Sequence, residues 1–240
     1  MPLENEDRPS DSPYVHRVWR SRAAGVGRMT SIALSHWELV FWAHKGQTHA
    51  TVRGPETSAS SAEVPDGSES FGILFAHGAS MPHLPPPRLV DSEVDSPYAT
   101  ATTFMLRGDE WLIPGFDSAE QFVARLVREG VIVRDPLVDD VVAGGMPDVG
   151  TRSVQRRIAA ATGLTQGGIR QIERARQAAV LLGEGAAALD VMNRLGYYDQ
   201  PHLARSLARF IGRTATELRR PDAAGTPLSL LYKADDLPGS

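Results

Sequence analysis

Residues 195–212 read Leu195-Gly196-Tyr197-Tyr198-Asp199-Gln200-Pro201-His202-Leu203-Ala204-Arg205-Ser206-Leu207-Ala208-Arg209-Phe210-Ile211-Gly212, which spells a helix end, a tight turn and a second helix. Val191, Met192 and Leu195 put apolar groups on one side of the preceding helix, and Gly196 permits a left-handed exit from it. Asp199 can accept backbone N–H bonds at the start of the next helix, and Pro201 falls in its first turn, where a missing N–H costs little. Leu203, Leu207 and Phe210 form the stripe expected to be buried, while His202, Arg205, Ser206 and Arg209, at i, i+3, i+4 and i+7, are expected to share the opposite face. Arginine bonds bidentately to guanine O6 and N7, and serine and histidine reach base edges or phosphate oxygens, so such a face has the chemistry a major groove requires. A face of this kind is ordinary solvated surface on most helices; the turn in front of it, with Gln200 at the helix start, is what points to DNA.

Upstream, Thr151-Arg152-Ser153-Val154-Gln155-Arg156-Arg157-Ile158-Ala159-Ala160-Ala161-Thr162-Gly163-Leu164-Thr165 follows the same logic. Val154, Ile158 and Ala161 face inward and Arg152, Gln155 and Arg156 face out together, a glutamine for adenine between arginines for guanine. Between the two segments, Ile169, Ile172, Ala175, Ala179, Val180 and Leu182 predict one amphipathic helix over Gly168 to Leu182. At 1.5 Å per residue it is about 22 Å long, a rigid spacer suited to placing two reading helices about 34 Å apart in successive major grooves.

Charge is divided accordingly. The net charge over 240 residues is −4, but residues 151–220 carry twelve arginines and no lysine against five acids, +7, which leaves −11 for the remainder. A basic module joined to an acidic one fits a DNA-binding domain attached to something not meant to touch phosphate. With no cysteine, disulfides, thiolate metal sites and cysteine nucleophiles are excluded, and a cytoplasmic location is expected. Met1 to Ser12 has no apolar stretch behind a basic start, and no later stretch reaches the length of a membrane helix, so neither export nor insertion is expected.

The region before the helices is β-rich. Ile32-Ala33-Leu34, Glu38-Leu39-Val40-Phe41-Trp42 and Phe71-Gly72-Ile73-Leu74-Phe75 are short apolar runs between Gly/Pro/Ser punctuation, the pattern of a barrel or sandwich. Trp37, Phe41, Trp42, Phe71, Phe75, Phe104 and Trp111 are core residues or pocket walls, core being the commoner fate. His36, His44, His49, His77 and His83 lack close ligand spacing and read as scattered surface histidines, so no metal site is expected. From Asp117, Phe122, Leu126 and Val127 follow helical spacing, with Asp117 or Ser118 as cap and Gly130 as stop.

The C-terminal third resembles the AraC-type transcriptional regulators. Their second-unit signature is met by Gly196, Tyr197, Asp199, Gln200, His202, Arg205, Leu207, Gly212, Thr214 and Arg219, and their first-unit pattern by Arg152, Gln155, Arg156, Gly163, Leu164 and Thr165. Pro201, Leu203, Ala215 and Leu218 depart from it at core and cap positions, and Gly144-Gly145 with Pro147 shorten the first unit's scaffold helix. The resemblance covers about a third of the chain. It implies an α+β protein: a β-rich N-terminal domain of barrel or sandwich form, cupin-like by kinship, then an all-α domain with two helix-turn-helix units joined by a long helix. The expected organisation is a flexible tail over 1–13, a sensor or dimerisation domain over 14–116, a connecting helix over 117–134, the DNA-binding domain over 135–220 and a tail over 221–240.

Expected DNA contacts are Arg152, Gln155, Arg156, Gln200, His202, Arg205, Ser206 and Arg209, Arg205 foremost, with operator DNA as partner and no catalytic residue, cofactor or membrane. A small effector is implied by the family; a second copy of the chain and RNA polymerase stay open as partners. The alternative is a cupin-like enzyme or ligand-binding protein whose helices serve assembly, against which stands the lack of a metal-ligand set or of a nucleophile with a positioned base. A methyl-acceptor DNA-repair regulator is excluded, because no cysteine is present to accept the methyl group.

Overall fold

Alternation of β-branched and aromatic residues with turn residues makes the N-terminal part an antiparallel sheet. A computed structural model of the chain describes residues 3–25, 27–220 and 226–229. Strands β1 (Leu3–Pro9), β2 (Val15–Ala23), β3 (Arg28–Ser31), β4 (Glu38–His44), β5 (Gln47–Arg53), β6 (Ser60–Glu63), β7 (Glu69–Phe75), β8 (Ala79–Ser80) and β9 (Glu93–Asp95) are followed by β10 (Thr103–Leu106), β11 (Asp109–Leu112) and, later, β12 (Val133–Arg134). The main sheet has the order β1-β2-β7-β4-β5-β9, and β3 with β6, β10 with β11 and β12 with β8 form two-stranded ribbons. Helices are α1 (Ala119–Arg128), α2 (Pro136–Val142), α3 (Thr151–Thr162), α4 (Gln166–Gly183), α5 (Ala188–Leu195), α6 (Gln200–Phe210) and α7 (Ala215–Leu218). The fold class is α+β. No helix among the described residues is long and apolar enough to cross a membrane.

Two cores result. One lies between the sheet and α1 and contains Phe41, Ile73, Phe75, Phe104, Trp111, Phe122 and Leu126. The other fills the space among α2 to α7 and also takes in Ile32 and Ala33 from the N-terminal part. Burying an Ile side chain stabilises by roughly 1.5–3 kcal/mol, so Ile32 is a substantial tether between the two parts.

Four expectations need correction. Residues 3–9 are not a loose tail: β1 pairs along its whole length with β2, and Glu6 and Asp7 meet Arg20 and Arg17, so the acidic start is held by a basic strand. The helix expected as a connector, α1, is structural, since Phe122, Val123 and Leu126 are buried in the sheet core and Glu120 pairs with Arg8 at 2.6 Å. Ile32-Ala33-Leu34 is no strand; it is an irregular buried segment in which Ala33 bonds to Phe210 and Arg176 of the helical region, Leu34 to Glu56 and Ile32 N–H to Ser229. Within the expected tail, Thr30 N–H donates to Pro227 and Ser229 N–H to Thr30, so 226–229 extend the edge of β3; positions 221–225 and 230–240 lie outside the described residues.

Candidate nucleic-acid interface and the seam behind it

In the second helix pair, α5 ends at Gly196 in the left-handed region (φ 68°) and α6 begins at Asp199, whose carboxylate accepts from His202 N–H at 2.7 Å. Tyr197 is buried in the turn, 3.1 Å from the Ser206 hydroxyl and with the Arg174 guanidinium 4.6 Å from its ring centre; burial pushes its phenol up. Leu203, Leu207 and Phe210 are buried as expected, and Gln200, Arg205 and Arg209 are exposed. Ser206 is not on the exposed face: it is 8% exposed and engaged by Tyr197. The physical reason is positional, because Ser206 sits three residues after Leu203 and four before Phe210, inside the stripe itself. His202 is half-buried, its ring 5.1 Å from that of Tyr197 and its Nδ1 accepting from Tyr198 N–H at 3.4 Å. Tyr198, 91% exposed beside the start of α6, was missed because an aromatic in a turn carries no periodic signal.

In the first pair, Asp135 caps α2, accepting from Leu137 N–H at 3.2 Å, and also holds Arg157 of α3 through its Nε at 2.6 Å. The chain then crosses 143–150 before α3 starts at Gly150, which supplies no side-chain cap. Val154, Ile158 and Ala161 are buried; Arg152, Gln155 and Arg156 are exposed together on the other face. The linking helix α4 is 18 residues, longer than the stretch expected, or about 27 Å.

Both exposed-arginine helices are pinned at their C-terminal ends by the β-rich domain. Gly163 closes α3 at φ 74°, and a Cβ there would stand 2.5 Å from Val90 Cγ2 and 2.9 Å from Pro87 Cα. Gly212 follows α6 at φ 70°, 3.0 Å from Thr30 Cγ2 in the same sense, while Phe210 and Arg209 carbonyls accept from Ala33 and Ala59 N–H at 2.7 and 2.8 Å. From α4, the buried Arg176 donates to the Ala33 carbonyl at 2.9 Å.

Along this seam the sequence expectation for histidines fails. His36 is 4% exposed, with His16 stacked on it (ring centres 4.3 Å) and His77 tilted against it (3.8 Å, 36° between planes), because β-strand topology gathers residues far apart in sequence. His16 is the extra residue of a bulge between Val15 and Arg17, the device by which a strand re-aims one side chain. His36 Nδ1 lies 2.7 Å from the Phe75 carbonyl, His77 Nε2 lies 2.8 Å from Ser35 Oγ, and Ser35 donates to Glu173 Oε1 of α4 at 2.6 Å. One ring nitrogen of each of His36 and His77 and a Glu173 oxygen lie within 4.8 Å of one another. Burial drives all the imidazoles toward the neutral form, His16 to about 2, His77 to about 3 and His36 well below its ordinary range. Nearby, burial pushes Glu38 up and Glu56 up to about 7. His44 and His49 are partly covered, His49 stacked on Trp42, and His83 is exposed.

On the sheet, Trp37, Phe41, Phe75, Phe104 and Trp111 are core. Phe41, Phe71 and Trp42 also line a cavity of about 770 Å³ with Arg20, Arg22 and Phe116, the Arg20 guanidinium 4.7 Å from the Phe116 ring centre. No family model, no curated protein and no solved structure matches this chain.

Proposed function

We propose that the chain is a sequence-specific DNA-binding transcriptional regulator of the AraC type, in which α2–α3 and α5–α6 act as two helix-turn-helix units and α3 and α6 enter successive major grooves. The observation that carries this reading is the paired exposure of Arg152, Gln155 and Arg156 on one helix and Gln200, Arg205 and Arg209 on another, joined by α4. Arg205 is the first base reader, arginines around it neutralise phosphate, and no bond is made or broken. His202, half-buried, contributes at the helix start; Ser206 supports the turn instead of reading DNA. The N-terminal domain is the receiver, cupin-like in this reading, and its aromatic and arginine-lined cavity is where a small effector is placed.

The test is selection of bound sites from a pool of random duplex DNA at physiological salt. The expected outcome is one site with two readable blocks about a helical turn apart, and affinity that drops steeply with salt. Retention of unrelated sequences alone, with the same salt dependence, overturns the reading.

A further inference from the structure

The histidine cluster at the seam has the donors of a metal site. Ser35 Oγ lies 2.8 Å from His77 Nε2 and donates to Glu173 Oε1 at 2.6 Å, so one hydroxyl already holds these two side chains together. His36, donating from Nδ1 to the Phe75 carbonyl, carries its lone pair at Nε2. The bond from His36 to a backbone carbonyl is the outer contact that fixes the ring of a metal-ligating histidine.

We propose that His36, His77 and Glu173 bind a divalent transition metal of the zinc class, clamping the β-rich domain to α4. Two imidazole nitrogens and one carboxylate suit Zn²⁺ with a fourth position open to water, whereas Ca²⁺ and Mg²⁺ ask for oxygen ligands in greater number. His77 and Glu173 are only half-buried, so an ion can enter from solvent. The cationic Arg176, one turn after Glu173, opposes a dication, but its guanidinium is turned to the Ala33 carbonyl, to which it donates at 2.9 Å.

Ligation would tighten the seam. Donor atoms spread over as much as 4.8 Å must close to about 3.3 Å around an ion with bonds near 2.0 Å. Glu173 moves α4, and His77 adjoins Gly78, whose N–H is held at 2.7 Å by Asp139 of α2, so the contraction reaches the first helix pair and the linking helix. The metal site stands independently of the DNA reading; its consequence for operator affinity rests on that reading.

The experiment uses the full chain, stripped of metal with a chelator and without DNA. Titration with Co²⁺, followed by visible d–d absorption, and with Zn²⁺, by calorimetry, is expected to show one ion per chain and a raised Tm. Glu173→Gln, which can still accept from Ser35, and His77→Gln are expected to weaken Zn²⁺ by about tenfold or more with unchanged circular dichroism. His83→Gln is expected to leave binding intact. Absence of a Co²⁺ spectrum in the wild-type chain, or Zn²⁺ binding equal in the Glu173→Gln and wild-type proteins, overturns the proposal. Operator selection with the stripped protein is scored separately, so loss of one result does not entail loss of the other.

Discussion

The two helix pairs present similar exposed faces on differently built supports. In the second, a four-residue turn is closed by a left-handed Gly196, the buried Tyr197–Ser206 hydrogen bond and the Asp199 cap. In the first, the longer crossing 143–150 ends at Gly150 with no side-chain cap, and α3 is held instead by Arg157 on Asp135 and by its far end against Pro87 and Val90. Both helices end against the β-rich domain, but α6 is also ordered at its start by its own turn, which α3 lacks. A helix fixed at both ends keeps more of its geometry when the domain behind it shifts than one whose start is not capped. In the proposed function, α6 supplies constant recognition and α3 the contact through which the N-terminal domain acts.

The largest effect is expected where the support from the β-rich domain is removed. Gly163→Ala places a Cβ 2.5 Å from Val90 in a left-handed backbone, and is expected to cost about 3 kcal/mol in denaturant unfolding. Gly212→Ala meets only the Thr30 and Ala59 side chains, at 3.0 and 3.2 Å, and is expected to cost about half of that. Equal losses would show that the two helix ends are wedged alike.

On DNA the order reverses. Arg205→Ala is expected to cost about 2 kcal/mol at the selected site and to relax preference at one position, while Arg156→Ala, on the less firmly held helix, costs about 1 kcal/mol. Binding assays on matched and singly mismatched duplexes check both. A uniform loss across unrelated duplexes would make Arg205 a phosphate contact.

Glu56 separates the pairs by pH, since its backbone bonds to Leu34 brace the segment that receives the end of α6. Burial raises its carboxyl to about 7 from an ordinary value of 4.5, so the folded state holds this proton more tightly than the unfolded chain does. Its contribution is fully present below about pH 4.5 and is lost as pH rises through 7. Glu56→Gln is expected to stabilise the protein at pH 8 by about 2 kcal/mol, allowing for partial hydration, and by little at pH 4.5. The difference in urea midpoint between variant and wild type at the two pH values isolates Glu56 from the histidines, whose depressed pKa values act in the opposite sense.

Local signals made the helices legible. Asp199, Gly196 and the spacing of Val154, Ile158 and Ala161 act within a turn or two of themselves, and the chain obeys them. Ser206 is polar like its neighbours on the exposed face but occupies i+3 of the i, i+3, i+4, i+7 stripe through Leu203, Leu207 and Phe210, so its burial is legible in the spacing. The histidine cluster was not. His16, His36, His77 and Glu173 meet only because a bulge, a strand order and an interdomain seam bring them together, and no sequence spacing encodes that. The pairing of β1 is likewise a long-range ladder, from residues whose polarity suggested a tail.

The smallest expected effects test the comparison most directly, because they exchange the two kinds of support. Asp199→Ala removes a cap that accepts from His202 N–H at 2.7 Å, and is expected to cost about 1 kcal/mol. Gly150→Asp supplies the first pair with the cap it lacks; a Cβ at Gly150 meets nothing within 4 Å and its φ of −60° suits any residue, so a gain of a few tenths of a kcal/mol is expected. The informative quantity is what each change does to DNA binding. If α3 depends on the β-rich domain for its geometry, stiffening its start narrows the gap between Arg156→Ala and Arg205→Ala at the selected site. An unchanged gap would mean that the entry to α3 is already as ordered as that of α6, and that the contrast between the pairs lies in their sequence preference and not in their support.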